Sequence, residues 1–201
     1  GYRIPHIYAE HTGLLASARK FELVEKLNPE EALNYGLNAS TIVNLFGIDF
    51  TFNAEYYRTD FQNQVIVDMD ADPSKVSFYN LKGKSFSNSF QFDMQFEPIA
   101  RLVLTTAYRL NDVKMTINGN LEDKPLQSRH KGFFNAMYDT RTSGWNFDLT
   151  LEYNGGGRLP NTEANPEGLR LKKEFPDFVV MNAQITKKFK NWDIYIGGEN
   201  L

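Results

Sequence analysis

Residues 145–153 read W-N-F-D-L-T-L-E-Y and alternate without exception. Trp145, Phe147, Leu149, Leu151 and Tyr153 fall on one face of an extended chain, and Asn146, Asp148, Thr150 and Glu152 on the other. A period of two is the signature of a β-strand, because successive Cβ atoms point to opposite faces. One face is large and apolar with aromatic ends; the other carries carboxylates and amides. Two architectures use such a strand. In a soluble sandwich the apolar face fills a core, and in a membrane barrel it meets lipid while the polar face meets water.

The remainder of the chain repeats the pattern. Strands are expected at Leu33–Val43, Asp49–Val67, Asn80–Glu97, Arg101–Asp112, Ser128–Asp139, Trp145–Asn154, Asp177–Lys188 and Trp192–Glu199. Several exceed the usual 5–6 residues of a globular strand. Pro29-Glu30-Glu31-Ala32 has the flavour of a helix start, but Asn34-Tyr35-Gly36 does not continue it. The connections are sorted by length. Short ones lie at residues 44–48, 98–100, 140–144 and 189–191; long ones lie at Asp68–Tyr79, Val113–Gln127 and Gly155–Pro176. In an up-and-down sheet, alternate connections lie at opposite ends. The order therefore puts every short turn at one end and every long loop at the other, as in a transmembrane barrel. A sandwich has no reason to sort its loops this way.

Composition agrees with this reading. The chain has 16 Phe and 10 Tyr against 2 Trp, and no cysteine, which removes disulfides and Cys-based zinc sites. The net charge of -3 argues against a nucleic-acid partner, which shows as a basic field. Mean hydropathy is -0.47, and no stretch approaches the roughly 18 apolar residues of a membrane helix. Barrel strands need only about 10 alternating residues, so low mean hydropathy is no obstacle. A chain that opens Gly1-Tyr2-Arg3-Ile4-Pro5 and closes on Glu199-Asn200-Leu201, straight after a strand, is expected to be a piece of something longer.

Motifs with chemistry are few. His6, Glu10 and His11 are the one cluster of metal-ligand types, but a five-residue spacing does not put both histidines on one helix face, and the segment reads as loop. Solvated loop histidines, or contacts to an anionic or metal-bearing ligand, are the two readings. His130 reads as a rim or lumen residue, with no Ser or Cys placed beside it as a nucleophile. Gly155-Gly156-Gly157 lacks the Lys-Ser/Thr end of a phosphate loop and reads as a flexible break. Asp68-Met69-Asp70-Ala71-Asp72 starts like a calcium loop but has Pro73 and Tyr79 where Gly and Glu are needed. Glu55, Asp93, Asp148 and Glu152 suit either paired glycosidase carboxylates or a solvated lumen.

The order of motifs resembles the barrel of TonB-dependent outer-membrane receptors. The residues that carry the resemblance are Arg3-Ile4-Pro5 with Glu10, Leu27-Asn28-Pro29-Glu30 ahead of Asn34-Tyr35-Gly36, and Glu55 to Phe61. Trp145 to Tyr153, Arg158-Leu159-Pro160 and the closing Tyr195 to Leu201 continue it. It runs along the whole chain. It implies an all-β fold, an antiparallel up-and-down meander forming part of a transmembrane barrel of about 22 strands. Residues 1–201 are then a single-domain fragment of that barrel, truncated at both ends, from the later third of the protein. The implied partners are outer-membrane lipid, the protein's own N-terminal plug, the TonB complex acting through a TonB box, an imported ligand and a surface lipoprotein. Neither plug nor box is read in this sequence. The implied role is active import of a scarce nutrient such as a ferric siderophore, haem, cobalamin, glycan or peptide across the bacterial outer membrane. No enzymatic activity, cofactor or resident metal is implied. A soluble β-sandwich or ligand-binding barrel, and an outer-membrane enzyme using lumen carboxylates, are the rival readings. Because binding residues concentrate on loops of a rigid scaffold, His6, Tyr8, Glu10, His11, Arg158 and Arg170 are expected to contact ligand at the long-loop end. Phe46, Trp145, Phe189 and Trp192 are expected at the short-turn interface.

Overall fold

The computed structural model describes residues 1–201. Its main feature is a 10-stranded sheet. Eight long strands follow one another as an antiparallel meander: Glu30–Leu45, Ile48–Asn63, Ser85–Ile99, Leu102–Ile117, His130–Asp139, Trp145–Asn154, Phe178–Lys188 and Asp193–Gly198. Tyr2–Arg3 pairs with the first of them, and Asn120–Asp123 folds back on the fourth. Neighbours in the meander follow one another in chain order, with short strands outside it intervening between Ile48–Asn63 and Ser85–Ile99 and between Leu102–Ile117 and His130–Asp139.

The register keeps the two faces separate across the whole sheet. Phe147 lies opposite Tyr138 and Ile185, Phe134 opposite Leu151 and Thr106, and Phe92 opposite Ala54 and Tyr108. These residues share one face. On the other, Asn53 donates to Asp93 at 2.6 Å, Asn135 to Thr150 at 2.9 Å and Arg109 to Gln91 at 2.8 Å. No second sheet packs on the apolar face, where Leu37 is 80% and Ile196 75% exposed, so the rival sandwich reading is overturned and the meander stands.

Near the long-loop end the apolar face turns polar. Tyr35 donates to Asp60 at 3.1 Å, Arg58 holds Asp60 at 2.7 Å and reaches Asn88 at 3.0 Å, and Asn88 faces Asp112 at 3.4 Å. At about 3.3 Å per residue and a tilt of about 40°, the run from Ile48 to Arg58 rises about 25 Å, the height of a barrel's apolar band.

The long connections hold more structure than alternation foretold. The expected strand Asp49–Val67 breaks at Gln64: Ile48–Asn63 stays in the meander and Val65–Asp68 enters a separate 3-stranded sheet with Lys75–Asn80 and Lys20–Leu23. Val65-Ile66-Val67 is a continuous apolar run, the mark of a strand covered on both faces. Val65 and Val67 pack towards Ile7, Leu14 and Phe21, while Ile66 packs on Met115 and Ile117. The expected strand Asn80–Glu97 accordingly begins at Ser85, and the expected loop Asp68–Tyr79 contains a strand. Lys20–Leu23 runs parallel to Lys75–Asn80, a pairing outside the meander that alternation does not foretell.

Further boundaries shift. The strand expected to stop at Asp112 runs on to Ile117, turns through Asn118 and Gly119, both at positive φ, and returns as Asn120–Asp123. Residues 6–11, expected as loop, carry the short helix Ile7–Glu10, followed by Thr12–Leu15. Glu30 starts a strand rather than a helix. Gly157–Arg158 pairs with Glu174–Phe175, and a Cβ at Gly157 would lie 2.4 Å from the Gln127 carbonyl, so that glycine is required by close approach rather than by flexibility.

The core sits at the long-loop end, where the cap meets the end of the strand Leu102–Ile117. Only 16 of 201 residues are buried, and the apolar ones are Val65, Ile66, Met69, Val76, Phe78, Met115 and Ile117, all at the long-loop end. The long connections therefore form a packed cap. Its contacts to Met115 and Ile117 put it on the polar side of the sheet, since these alternate in step with Arg109.

Candidate functional site

Among the cavities between the cap and the strand ends, two hold residues expected to contact ligand. The first, about 260 Å³, is lined by Arg3, Glu10, His11, Val65, Met69 and Met115 among others. Arg3 is its charged centre, held by Glu30 through Nε at 2.8 Å and by Glu10 at 3.2 Å. The Glu30 carboxylate raises the Arg3 pKa further. Glu10 also accepts the His6 backbone N–H at 3.0 Å, and the His11 ring lies 5.6 Å from Phe78. Glu10 and His11 therefore line this cavity. His6 and Tyr8 do not: Tyr8 is 68% exposed and stacks on Phe21 at 6.1 Å.

The second cavity, about 430 Å³, is lined by Arg158 and Arg170 together with Asp70, Asn118, Thr162 and Lys172 among others. Arg158 joins three connections. Its Nε donates to the Asp123 carbonyl at 2.7 Å and its Nη1 to Asp70 at 2.9 Å, while Asp70 also accepts the Asn161 backbone N–H at 2.7 Å. Its Nη2 is buried without an acceptor. Arg170 donates Nε to the Asn165 carbonyl at 3.0 Å.

The six expected residues thus lie at the long-loop end, but only four line a cavity, Glu10 and His11 the first and Arg158 and Arg170 the second. Asp70 and Lys172 are the additions. Asp70 stood in the calcium-like run, whose other two carboxylates are spent within the same connection: Asp68 accepts its own turn's N–H groups and the Tyr79 hydroxyl, and Asp72 caps Ser74. The Ser74 hydroxyl and N–H hold the Asp72 pKa low, and burial pushes the Tyr79 phenol up, with Asp68 adding to it. No spacing rule pairs Asp70 with an arginine 88 residues away. Glu55, Asp93, Asp148 and Glu152 lie on the polar wall, where Asp93 and Asp148 are bonded to amides rather than to each other.

A one-sheet meander, apolar on one face and polar on the other, with short turns at one end and a cap at the other, is the wall of a transmembrane β-barrel of the receptor type. The sequence profile described as TonB dependent receptor-like, beta-barrel, matches residues 6–201, and the chain belongs to that family. Family members are outer-membrane transport receptors. Among solved structures it is similar to the ferric-catecholate import receptor Fiu from E. coli, with a TM-score of 0.60 and 15% identity over 87% of this chain and 24% of that one. A mutant ferric enterobactin receptor, PfeA, from Pseudomonas aeruginosa gives 0.62 and 14% over 87% and 26%. The siderophore receptor PiuA from Acinetobacter baumannii gives 0.52 and 16% over 86% and 24%. The chain thus spans about a quarter of these receptors' length. No curated protein matches it.

Proposed function

We propose that residues 1–201 are a single-domain piece of the barrel of an outer-membrane receptor that binds a scarce nutrient and imports it with energy from TonB. The observation that carries the reading is the division of labour along the strands. The apolar band, about 25 Å high, suits hydrocarbon, and a meander inside a closed barrel leaves no backbone group unpaired there. The polar face suits a water-filled lumen holding the protein's own plug. The cap and these two cavities stand where a ligand would arrive. Glu10, His11, Arg158 and Arg170 line those cavities, and His6 and Tyr8 stand beside the first. They are the proposed ligand contacts, acting by charge and ring contact rather than by covalent chemistry.

The proposed substrates take in ferric siderophores, for which the similar receptors are named, and also haem, cobalamin, glycans and peptides. The remaining proposed partners are the TonB complex, outer-membrane lipid and a surface lipoprotein. An uptake assay on the complete receptor tests the site. Alanine at Glu10, His11 and Arg158 should lower uptake, and alanine at the short-turn residues Ser143 and Asn191 should not. Equal uptake in both sets, with folding verified, would move the site elsewhere on the receptor.

A further inference from the structure

We propose that the mouth cavity lined by Arg158 and Arg170 is a chamber for a soluble, multiply charged anion bearing carboxylate or phosphate groups, with Arg170 and Lys172 as its contacts and Asp70 as a built-in competitor for Arg158. The inference rests on reading the chain as a receptor mouth and deepens it by naming a ligand chemistry.

Three observations carry it. First, the charge within the cavity is unevenly answered. Arg158 is matched by Asp70, and Lys173 lies 3.9 Å from Glu163, while Arg170 and Lys172 form no ion pair and outnumber the one unpaired carboxylate of the lining, Glu122. Arg170 spends one N–H on a carbonyl, which leaves the planar fork of its guanidinium for an oxyanion. The remaining lining includes the amides of Asn118, Asn120 and Asn161 and the hydroxyl of Thr162, donors that suit oxygen-rich ligands. Second, Arg158 has a vacant donor. Its Nη2 is buried without an acceptor, a state that costs free energy until something accepts from it. Asp70, itself only 11% exposed, already presents a carboxylate to this guanidinium, so an anion entering from the cavity meets a group arranged for carboxylate. Third, the cavity stands on the interior side. Ile117, in its lining, alternates in step with the polar face and away from the apolar band. A solute in the lumen reaches it, and a lipid headgroup outside the wall does not.

The test uses the complete receptor in detergent, titrated with citrate and with inorganic pyrophosphate by calorimetry. Saturable binding that weakens with added salt is expected. The double variant Arg170→Gln/Lys172→Gln should bind roughly tenfold more weakly or worse, the loss of a charge-assisted contact. Asp70→Asn should bind more tightly, because Arg158 is then free for the ligand. Absence of saturable binding to either probe, or equal affinity in the double variant, overturns the chamber; unchanged affinity in Asp70→Asn overturns the competitor role. Should Asp70→Asn fail to fold, the two exposed cations still decide the question. Probe binding without uptake of any nutrient would overturn the import reading and leave the chamber standing. Uptake with unchanged probe binding in the double variant would do the reverse.

Discussion

At the scale of single residues, the sheet tolerates little change where backbone is approached closely. Gly36 lies opposite Tyr57, whose ring covers it; a Cβ there would sit 2.4 Å from the ring and 2.3 Å from the Tyr56 carbonyl. The backbone carbonyl cannot rotate away as a side chain can. Gly36→Ala should therefore cost about 1–3 kcal/mol in a folding titration of the complete barrel. A change within a few tenths would show that the first hairpin yields at no cost. Ionisation matters in the cap. The Asn80 backbone N–H holds the Glu25 pKa low, and Ser74 does the same for Asp72. Groups lowered on folding contribute stability above their ordinary values of 4.5 and 3.8 and lose it as pH falls through the depressed ones. Amide protection factors in residues 74–80, taken relative to the intrinsic exchange rate at each pH, should hence fall on acidification into that range while those of the meander hold. Uniform behaviour of both regions would contradict the assignment.

At the scale of elements, the strand Trp145–Asn154 offers a clean comparison. Leu149 is the middle of its five apolar-face residues, and Thr150 is its neighbour on the polar face. Leu149→Lys should cost about 2–4 kcal/mol if it lies near the bilayer midplane, and Thr150→Lys much less. Equal costs would mean that the face does not meet lipid. The cap answers to different rules. Phe78 is 1% exposed, so Phe78→Ala should lose about 3–5 kcal/mol of cap stability, read by exchange across residues 65–80, with the barrel strands unaffected. The contrast explains what was legible in the sequence. Trp145–Asn154 was readable to the residue because each position obeys a period of two set by its own backbone. The small sheet was not, because Lys20–Leu23 and Lys75–Asn80 find each other through packing on Phe21, Val76 and Phe78 rather than through any periodicity. The site was half legible for the same reason. Loop position put Glu10, His11, Arg158 and Arg170 at the long-loop end, where they line cavities, while the pairing of Asp70 with Arg158 depends on how three connections fold together.

At the scale of the whole molecule, aromatic residues gather at the short-turn end. Phe189 stacks on Trp192 at 4.2 Å, Lys187 lies 5.0 Å above Trp145, and Phe46 at its turn tip is 99% exposed. Amphipathic rings favour the headgroup level. Depth-dependent quenching of Trp145 and Trp192 in the complete, reconstituted barrel should give similar, shallow depths, and a deep value for either would break the ring.

The parallel pairing in the cap also dictates an order of events. Phe21 and Val76 are partners, with the first hairpin, Glu30–Asn63, lying between them in the chain. Closing so long a loop is entropically unfavourable while that stretch is loose. Once the hairpin has zipped, its two free ends emerge side by side, and the remaining gap is residues 22–29 on one flank and 64–75 on the other. The meander can grow by local closure alone, one turn after another, whereas the cap must wait for the wall beneath it. A chain halted midway would thus show finished strands under an unfinished lid.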